Sequence, residues 1–244
     1  MTAVITTDNL EIRYDDTVAL SSLDLVTPAA TSLAVIGPNG SGKSSLLGAL
    51  AGTISPTTGS TAVKGGTPAL VLQATNVDDG LPLTVRDAVA IGRYPRLGLL
   101  RRFRSIDNDA VDRSLARMQI EDLASHQLNR LSGGQRQRVL IAQGLAQEAD
   151  VLLLDEPMTG VDVASRAVIL DVIDEEVAAG RTVVMTTHSF DDARRCDTIL
   201  LLDTRPIAMG PAAMVLTEEN LRQVFGTSLV GVGDSFFHDH HHDC

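Results

Sequence analysis

The segment Gly37-Pro38-Asn39-Gly40-Ser41-Gly42-Lys43-Ser44 constrains this chain more than any other. It follows a short apolar run, Ser32 to Ile36, and precedes a stretch with helical spacing, Ser44 to Ala51. A strand, a glycine-rich turn and a helix in that order fit G-x-x-x-x-G-K-[ST], where backbone N–H groups converge on phosphate oxygens at the positive end of a helix. Gly40 and Gly42 let the backbone come close, Lys43 supplies a charge, and Ser44 supplies a hydroxyl that can bind Mg²⁺.

The rest of the pattern agrees with such a core. Ala69 to Leu72, Val151 to Leu154, Thr182 to Met185 and Thr198 to Leu202 are apolar runs too short for helices, and they read as buried strands. Helix-like stretches lie at Gln135 to Ala146, Asp162 to Val177 and Asp191 to Arg195. Strands alternating with helices predict an α/β fold with a largely parallel core sheet. Val4 to Tyr14 and Ser60 to Lys64 look like strands of a separate antiparallel piece. Between Leu83 and Leu128 the strand signal vanishes, while Val85 to Ile91 and Asp107 to Met118 carry helical spacing, so a helical insertion is expected at about 83–130.

Composition narrows the function. Of 244 residues 44% are apolar and 21% charged, enough to bury a sizeable core, which excludes a disordered or fibrous chain. With 20 Lys+Arg against 31 Asp+Glu the formal net charge is −11, which argues against sequence-independent nucleic-acid binding. Any anion must be held locally. Cys196 and Cys244 make no disulfide framework, so a reducing compartment is expected. The chain contains no run of 18 apolar residues, and Met1 to Leu10 lacks the basic-then-apolar pattern of a signal peptide. A chain of this kind is expected to work at a membrane only by docking on something already there.

Two further segments carry chemistry. Val151-Leu152-Leu153-Leu154-Asp155-Glu156 delivers two carboxylates at the carboxyl end of a strand, where parallel sheets bind ligands. Asp155 can hold Mg²⁺ and Glu156 can polarise a water for attack on a γ-phosphate. In Leu131-Ser132-Gly133-Gly134-Gln135, Ser132 is a good helix N-cap and two glycines allow close backbone approach, so this is a second helix start suited to phosphate.

The phosphate loop, the Leu131–Gln135 segment and the acidic strand, in this order, closely resemble the nucleotide-binding subunit of ATP-binding cassette transporters. The resemblance covers essentially residues 1–226 and implies the fold of those ATPases: a P-loop core with a parallel sheet, an N-terminal antiparallel β piece and an inserted helical piece. Residues 227–244 are then an appended tail, rich in His and Asp from His238 to Cys244. The family pattern implies that Tyr14 stacks on adenine and that Gly37 to Ser45, including Ser45 itself, wraps the phosphates. It also implies that Ser44, Gln73 and Asp155 hold Mg²⁺, that Glu156 acts on the attacking water with Gln73, and that His188 contacts the γ-phosphate. Ser132, Gly133, Gly134 and Gln135 would act in trans, capping ATP held by a second copy, with Asp162 in the loop between copies. That loop reads Thr159-Gly160-Val161-Asp162 where the family often has Ser-Ala-Leu-Asp, keeping only the aspartate.

One cassette with no membrane span implies separate transmembrane permease subunits, a place on the cytoplasmic face of the membrane, and a substrate-binding protein met indirectly. The permease contact is expected near Gln73 and the helical insertion, with Asp78, Asp79 and the basic stretch Arg93, Arg96, Arg101, Arg102 and Arg104 supplying charge. Gly92-Arg93-Tyr94-Pro95-Arg96, Thr159 to Asp162 and Glu219 to Gly226 look most like manganese/zinc uptake subunits. Siderophore and cobalamin importers have similar segments. The tail's imidazoles and carboxylates suit divalent transition metals, but four His without fixed spacing make no closed site. A soluble ATPase of DNA repair or translation would usually add a coiled-coil insertion or a second cassette, and a metal buffer driven by its tail would not need the ATP machinery.

Overall fold

The computed structural model describes residues 3–73, 83–97 and 102–226; Asp78, Asp79, Arg101 and the His-rich tail lie outside them. In chain order the elements are β1 (Ala3–Tyr14), β2 (Thr17–Pro28), β3 (Ser32–Ile36), α1 (Lys43–Leu50), β4 (Thr58–Val63), β5 (Ala69–Val71), α2 (Val85–Ile91), α3 (Tyr94–Leu97) and α4 (Ser105–Arg117). They continue with α5 (Gly133–Ala146), β6 (Val151–Leu154), α6 (Val163–Ala178), β7 (Thr182–Thr187), α7 (Phe190–Arg194), β8 (Thr198–Asp203), β9 (Arg205–Gly210), α8 (Ala212–Val215) and α9 (Glu218–Phe225).

The core sheet has the order β5-β6-β7-β3-β8-β9, parallel except for β9 at one edge. The middle positions of β3, β6 and β8 are all apolar because both faces of the sheet are covered. Leu33, Val35, Leu153, Val184 and Leu200 point into a cluster with Leu46, Leu47 and Leu50 of α1 and with Ile5, Leu10, Leu20 and Leu25 of the antiparallel sheet β2-β1-β4. The alternate residues Ala34, Ile36, Leu152, Leu154 and Met185 join a second cluster with Val139 and Leu145 of α5 and Ile169 and Ile173 of α6.

β2 is absent from the sequence reading, and its bulge explains why. Leu20 and Leu23 both pair into the β1 face, although an odd spacing of three should put them on opposite faces. Ser22, at φ 50, takes up the extra residue as the register shifts between the Leu10–Leu23 and Ile12–Leu20 pairs.

α2 starts on a reciprocal cap, Thr84 with Asp87, and packs with α4 against α5. The basic stretch departs from expectation here. Arg93 is 4% exposed and faces inward. Its guanidinium donates to Asp107 Oδ1 at 3.0 Å, Glu148 Oε2 at 2.8 Å and the Ala146 carbonyl at 2.7 Å. Arg96 and Arg113 also reach Glu148. Burial pushes the Glu148 carboxyl up, but Arg93, Arg113 and Arg96 outweigh it and hold it below the usual range. Losing one partner of such a buried pair costs about 3–5 kcal/mol, so Arg93 ties the helical piece to the end of α5 and offers no charge to a partner.

Candidate functional site

Four successive strands of the core sheet, β5, β6, β7 and β3, end on the same side, and each is followed by residues singled out in the sequence. β5 leads to Gln73, β6 to Asp155 and Glu156, β7 to His188, and β3 to the loop that starts at Gly37. This is the edge of a parallel sheet at which ligands bind.

The loop is held open by backbone that tolerates no side chain. A Cβ on Gly37 would lie 2.1 Å from the Leu202 carbonyl oxygen, and one on Gly42, at φ 96, would lie 2.3 Å from that of Ala19. Neither carbonyl can yield as a flexible side chain could, so glycine is required at both. Lys43 Nζ, inside the loop, donates to the Gly37 carbonyl at 2.8 Å and the Pro38 carbonyl at 2.9 Å. Burial pushes the Lys43 ammonium below its ordinary pKa, and the Glu156 and Asp155 carboxylates oppose that shift without cancelling it. Ser41 is 1% exposed and its hydroxyl has no hydrogen-bond partner in the protein. A buried cation and an orphaned hydroxyl in one glycine-rich loop fit an anionic oxygen ligand.

Over the loop lies an open cavity of about 330 Å³, lined by Tyr14 and Ala19 on one side, Asn39 to Ser45 on the other, and Glu156. Tyr14 is half exposed, and its hydroxyl stands 3.3 Å from Ser45 Oγ. Thr17, Val18 and Ala19 line the cavity from β2, the strand hidden by its bulge.

Asp155 is buried and Glu156 follows it at φ 47, a left-handed backbone uncommon for a residue with a side chain. His188 Nε2 lies 2.6 Å from Glu156 Oε1, and the Thr159 hydroxyl donates to Glu156 Oε2 at 3.2 Å. Ser44 and Asp155 contribute only oxygen, the donor class that suits Mg²⁺, which is commonly held by one or two carboxylates together with substrate phosphates. Among the described residues no group of three or more His, Cys, Asp and Glu is gathered to hold a metal without such help.

Ser132, Gly133, Gly134 and Gln135 lie outside the lining of this cavity. Ser132 caps α5, accepting from Gln135 N at 3.2 Å, while Gln135 Oε1 accepts from Ser132 N at 2.9 Å. Gly134 packs on the Asp162 loop: a Cβ there would lie 2.5 Å from Asp162 Oδ2. Asp162 in turn caps α6, accepting from Ser165 N at 2.9 Å and Ser165 Oγ at 2.8 Å, and the Ser165 N–H and hydroxyl hold its carboxyl below the usual range. One turn into α6, Arg166 donates to Asp192 and Ser189, tying the helix to the segment that follows His188.

The geometry defines a P-loop nucleoside-triphosphate site at the edge of a doubly covered parallel sheet, with an antiparallel piece and a helical piece beside it. The chain belongs to the ABC transporter family, whose model matches residues 20–159. It is 35% identical to the manganese transport system ATP-binding protein MntB of Bacillus subtilis, over 96% of this chain and 97% of that protein. It is 34% identical to the chelated iron transport system membrane protein YfeB of Yersinia pestis, over 95% of this chain and 83% of that protein. Among solved structures, a chain of a transporter described as metal-chelate type, in an inward-facing conformation, superposes with a TM-score of 0.84 at 31% identity, covering 92% of this chain and 89% of that one. The chain is thus a nucleotide-binding ABC ATPase, with the fold its sequence led us to expect. No helix among the described residues is long and apolar enough to cross a membrane.

Proposed function

We propose that this chain hydrolyses ATP to drive import of a divalent metal ion, Mn²⁺ or Zn²⁺, as the cytoplasmic-face subunit of a transporter whose permease subunits are separate chains. Residues 1–226 form the cassette and 227–244 an appended tail. Tyr14 stacks on adenine. Gly37 to Ser45 wraps the phosphates and Lys43 neutralises them, while Ser44, Asp155 and Gln73 would hold Mg²⁺, which when bound would neutralise phosphate charge. Glu156 orients the attacking water, and His188 and Gln73 complete the γ-phosphate pocket. Two copies pair head to tail, so that Ser132 to Gln135 of one close over the nucleotide of the other, and Asp162 packs at the junction. Permease subunits dock beside Gln73 and the helical insertion, where Leu72, Tyr94 and Ile106 expose apolar surface; a substrate-binding protein meets the permease from the other side.

The observation that supports this reading is that the two glycine-rich helix starts, at Gly37 to Ser45 and at Ser132 to Gln135, stand in different places. The first lines the cavity, and the second, capped by Ser132, does not. Val163, beside Asp162, is 86% exposed, which suits a junction between copies. The metal follows from the manganese named for the first relative, and a chelated metal is the second reading, favoured by the iron relative and the metal-chelate structure.

Glu156→Gln tests the reading. The amide keeps the volume and an acceptor for Thr159 but loses the charge, so hydrolysis should fall about 10²-fold or more, the contribution of a positioned base or water-orienting group. The mutant should accumulate as an ATP-dependent dimer by light scattering. Cells carrying it in place of the wild-type chain should lose Mn²⁺ or Zn²⁺ uptake. Normal hydrolysis removes the role of Glu156, a monomer with ATP removes the composite site, and loss of chelate uptake alone replaces the free ion with a chelate.

A further inference from the structure

We propose that Thr186 is a positioning residue for hydrolysis, its single hydroxyl fixing Asp155 and Glu156 relative to each other; the inference rests on the roles given to those two carboxylates above. Thr186 lies on β7 and is 0% exposed. Its Oγ1 donates to Asp155 Oδ1 at 2.7 Å and accepts from the Glu156 N–H at 2.8 Å. A hydroxyl has one proton. The carboxylate of Asp155 takes it, and the lone pair left over holds the amide of the next residue.

The position of this hydroxyl in the sheet gives it its effect. The parallel ladder between β6 and β7 ends at the Leu154–Met185 pair, and on the other side the last bond of β6 runs from Asp155 N to the Val71 carbonyl. Beyond that point the chain leaves the sheet and turns through Glu156 at φ 47. A left-handed conformation at a residue with a side chain persists only where its surroundings determine it, and here Thr186 supplies the bond that the ladder no longer does. The same turn sends the Glu156 carboxylate to within 2.6 Å of His188. Thr186 therefore sets the angle between the carboxylate proposed to hold the cation and the carboxylate proposed to orient the water, without a role in contacting either.

Packing gives no other reason for the hydroxyl. Val183, Val184 and Met185 precede Thr186 on the strand, and valine has the same branched shape as threonine. This separates shape from hydrogen bonding experimentally. Purified full-length chains carrying Thr186→Val, Thr186→Ser and, in parallel, Glu156→Gln should be compared in steady-state ATP hydrolysis, thermal melting, and binding of a fluorescent ATP analogue titrated with Mg²⁺.

Thr186→Val should lower kcat about 10-fold to 100-fold, the loss expected from one hydrogen bond to a charged group, with KM for ATP within about twofold because the Lys43 loop is untouched. The Mg²⁺ concentration that half-saturates its analogue binding should rise about 3-fold or more, on the same ground, because Asp155 loses its anchor. Thr186→Ser keeps the hydroxyl and should stay within about threefold of the wild-type kcat. If the valine variant does not fold, Thr186→Ala set against Thr186→Ser asks the same question. A hydroxyl-free variant that folds and keeps wild-type kcat and Mg²⁺ dependence overturns the proposal. So does a serine variant as slow as the hydroxyl-free one, or a change confined to KM. Glu156→Gln separates the failures: if it hydrolyses normally the carboxylate roles fall, whereas if it is inactive and Thr186→Val is normal, only the positioning role falls.

Discussion

Lys43 sits in a loop shaped for a ligand, and the structure sets out what its charge contributes with and without one. Lys43→Met keeps an unbranched stem and deletes the ammonium. In the unliganded protein two effects oppose. The bonds from Nζ to the Gly37 and Pro38 carbonyls are lost, each worth about 1.5–3 kcal/mol as charge-assisted bonds. Relief of burial acts the other way: the folded pKa lies below the unfolded value, so folding disfavours the cation, a cost present below the folded pKa and absent above the unfolded one. The difference should stay within about 2 kcal/mol, which for a chain of this size moves Tm by no more than about 4–8 °C. Nucleotide reverses the balance. At an ATP concentration 100 times Kd the wild type gains about 2.7 kcal/mol, or roughly 5–11 °C. Losing bonds from one cation to two phosphates should raise Kd about 10²-fold or more, leaving the variant about 0.4 kcal/mol at the same ATP concentration, or roughly 1–2 °C. Melting curves of both chains over an ATP titration check this. A folded variant that shows the wild-type ATP shift would refute the assignment of Lys43 to the phosphates.

Two further outcomes follow from other parts of the chain. Removing His238 to Cys244 should leave ATP hydrolysis unchanged while lowering affinity for Zn²⁺ or Mn²⁺, and the tail-dependent part should weaken as pH falls through about 6.5, where imidazole protonates; calorimetry showing equal Zn²⁺ binding by both chains at two pH values would leave the tail without a metal role. Asp162→Asn keeps the α6 cap but not its titration. Because the Ser165 bonds lower the Asp162 carboxyl, its contribution to stability is complete above the ordinary aspartate value of about 3.9 and is lost as pH falls through the lower folded one. The asparagine variant should therefore lose less stability between about pH 5 and pH 2 in urea titrations, and superimposable acid limbs would contradict the cap.

What the sequence reveals of this protein depends on how much of each requirement is local. The phosphate loop is legible because two backbone carbonyls leave room only for glycine at 37 and 42, so the constraint is written in the residues that bear it. The core strands are legible because burial on both faces removes polar residues from every position of β3, β6 and β8 except at their ends. β2 is hidden because one left-handed serine shifts the face of Leu20 against that of Leu23 and breaks the period by which strands are recognised. Arg93 misleads for the opposite reason: it stands among other arginines and reads as surface charge, and only the approach of Asp107 and Glu148, 14 and 55 residues away in sequence, makes it an interior residue.

The same distinction runs through the site. Residues proposed to touch ATP are recognisable because phosphate and cation chemistry admits few residue types, and those types come in fixed spacings. Residues that orient them are ordinary. Thr186 reads as one more β-branched residue in a strand, yet it meets Asp155 across 31 positions of sequence and holds it through a hydroxyl that the strand does not need. Ser165 and Arg166 read as the first turn of a helix, yet one fixes Asp162 and the other ties the helix to Ser189, next to the histidine proposed to contact the γ-phosphate. Their significance comes from pairing, and pairing is set by the order of strands in the sheet. Thr186 hydrogen-bonds to Asp155 and Glu156, whereas Lys43 is held by the Gly37 and Pro38 carbonyls, so a change at Thr186 should act first on the two carboxylates. That difference in partners is what lets the Thr186→Val and Lys43→Met variants separate hydrolysis from binding: the first should lower kcat at constant KM, and the second should cut the nucleotide shift to a small remainder in a chain that still folds.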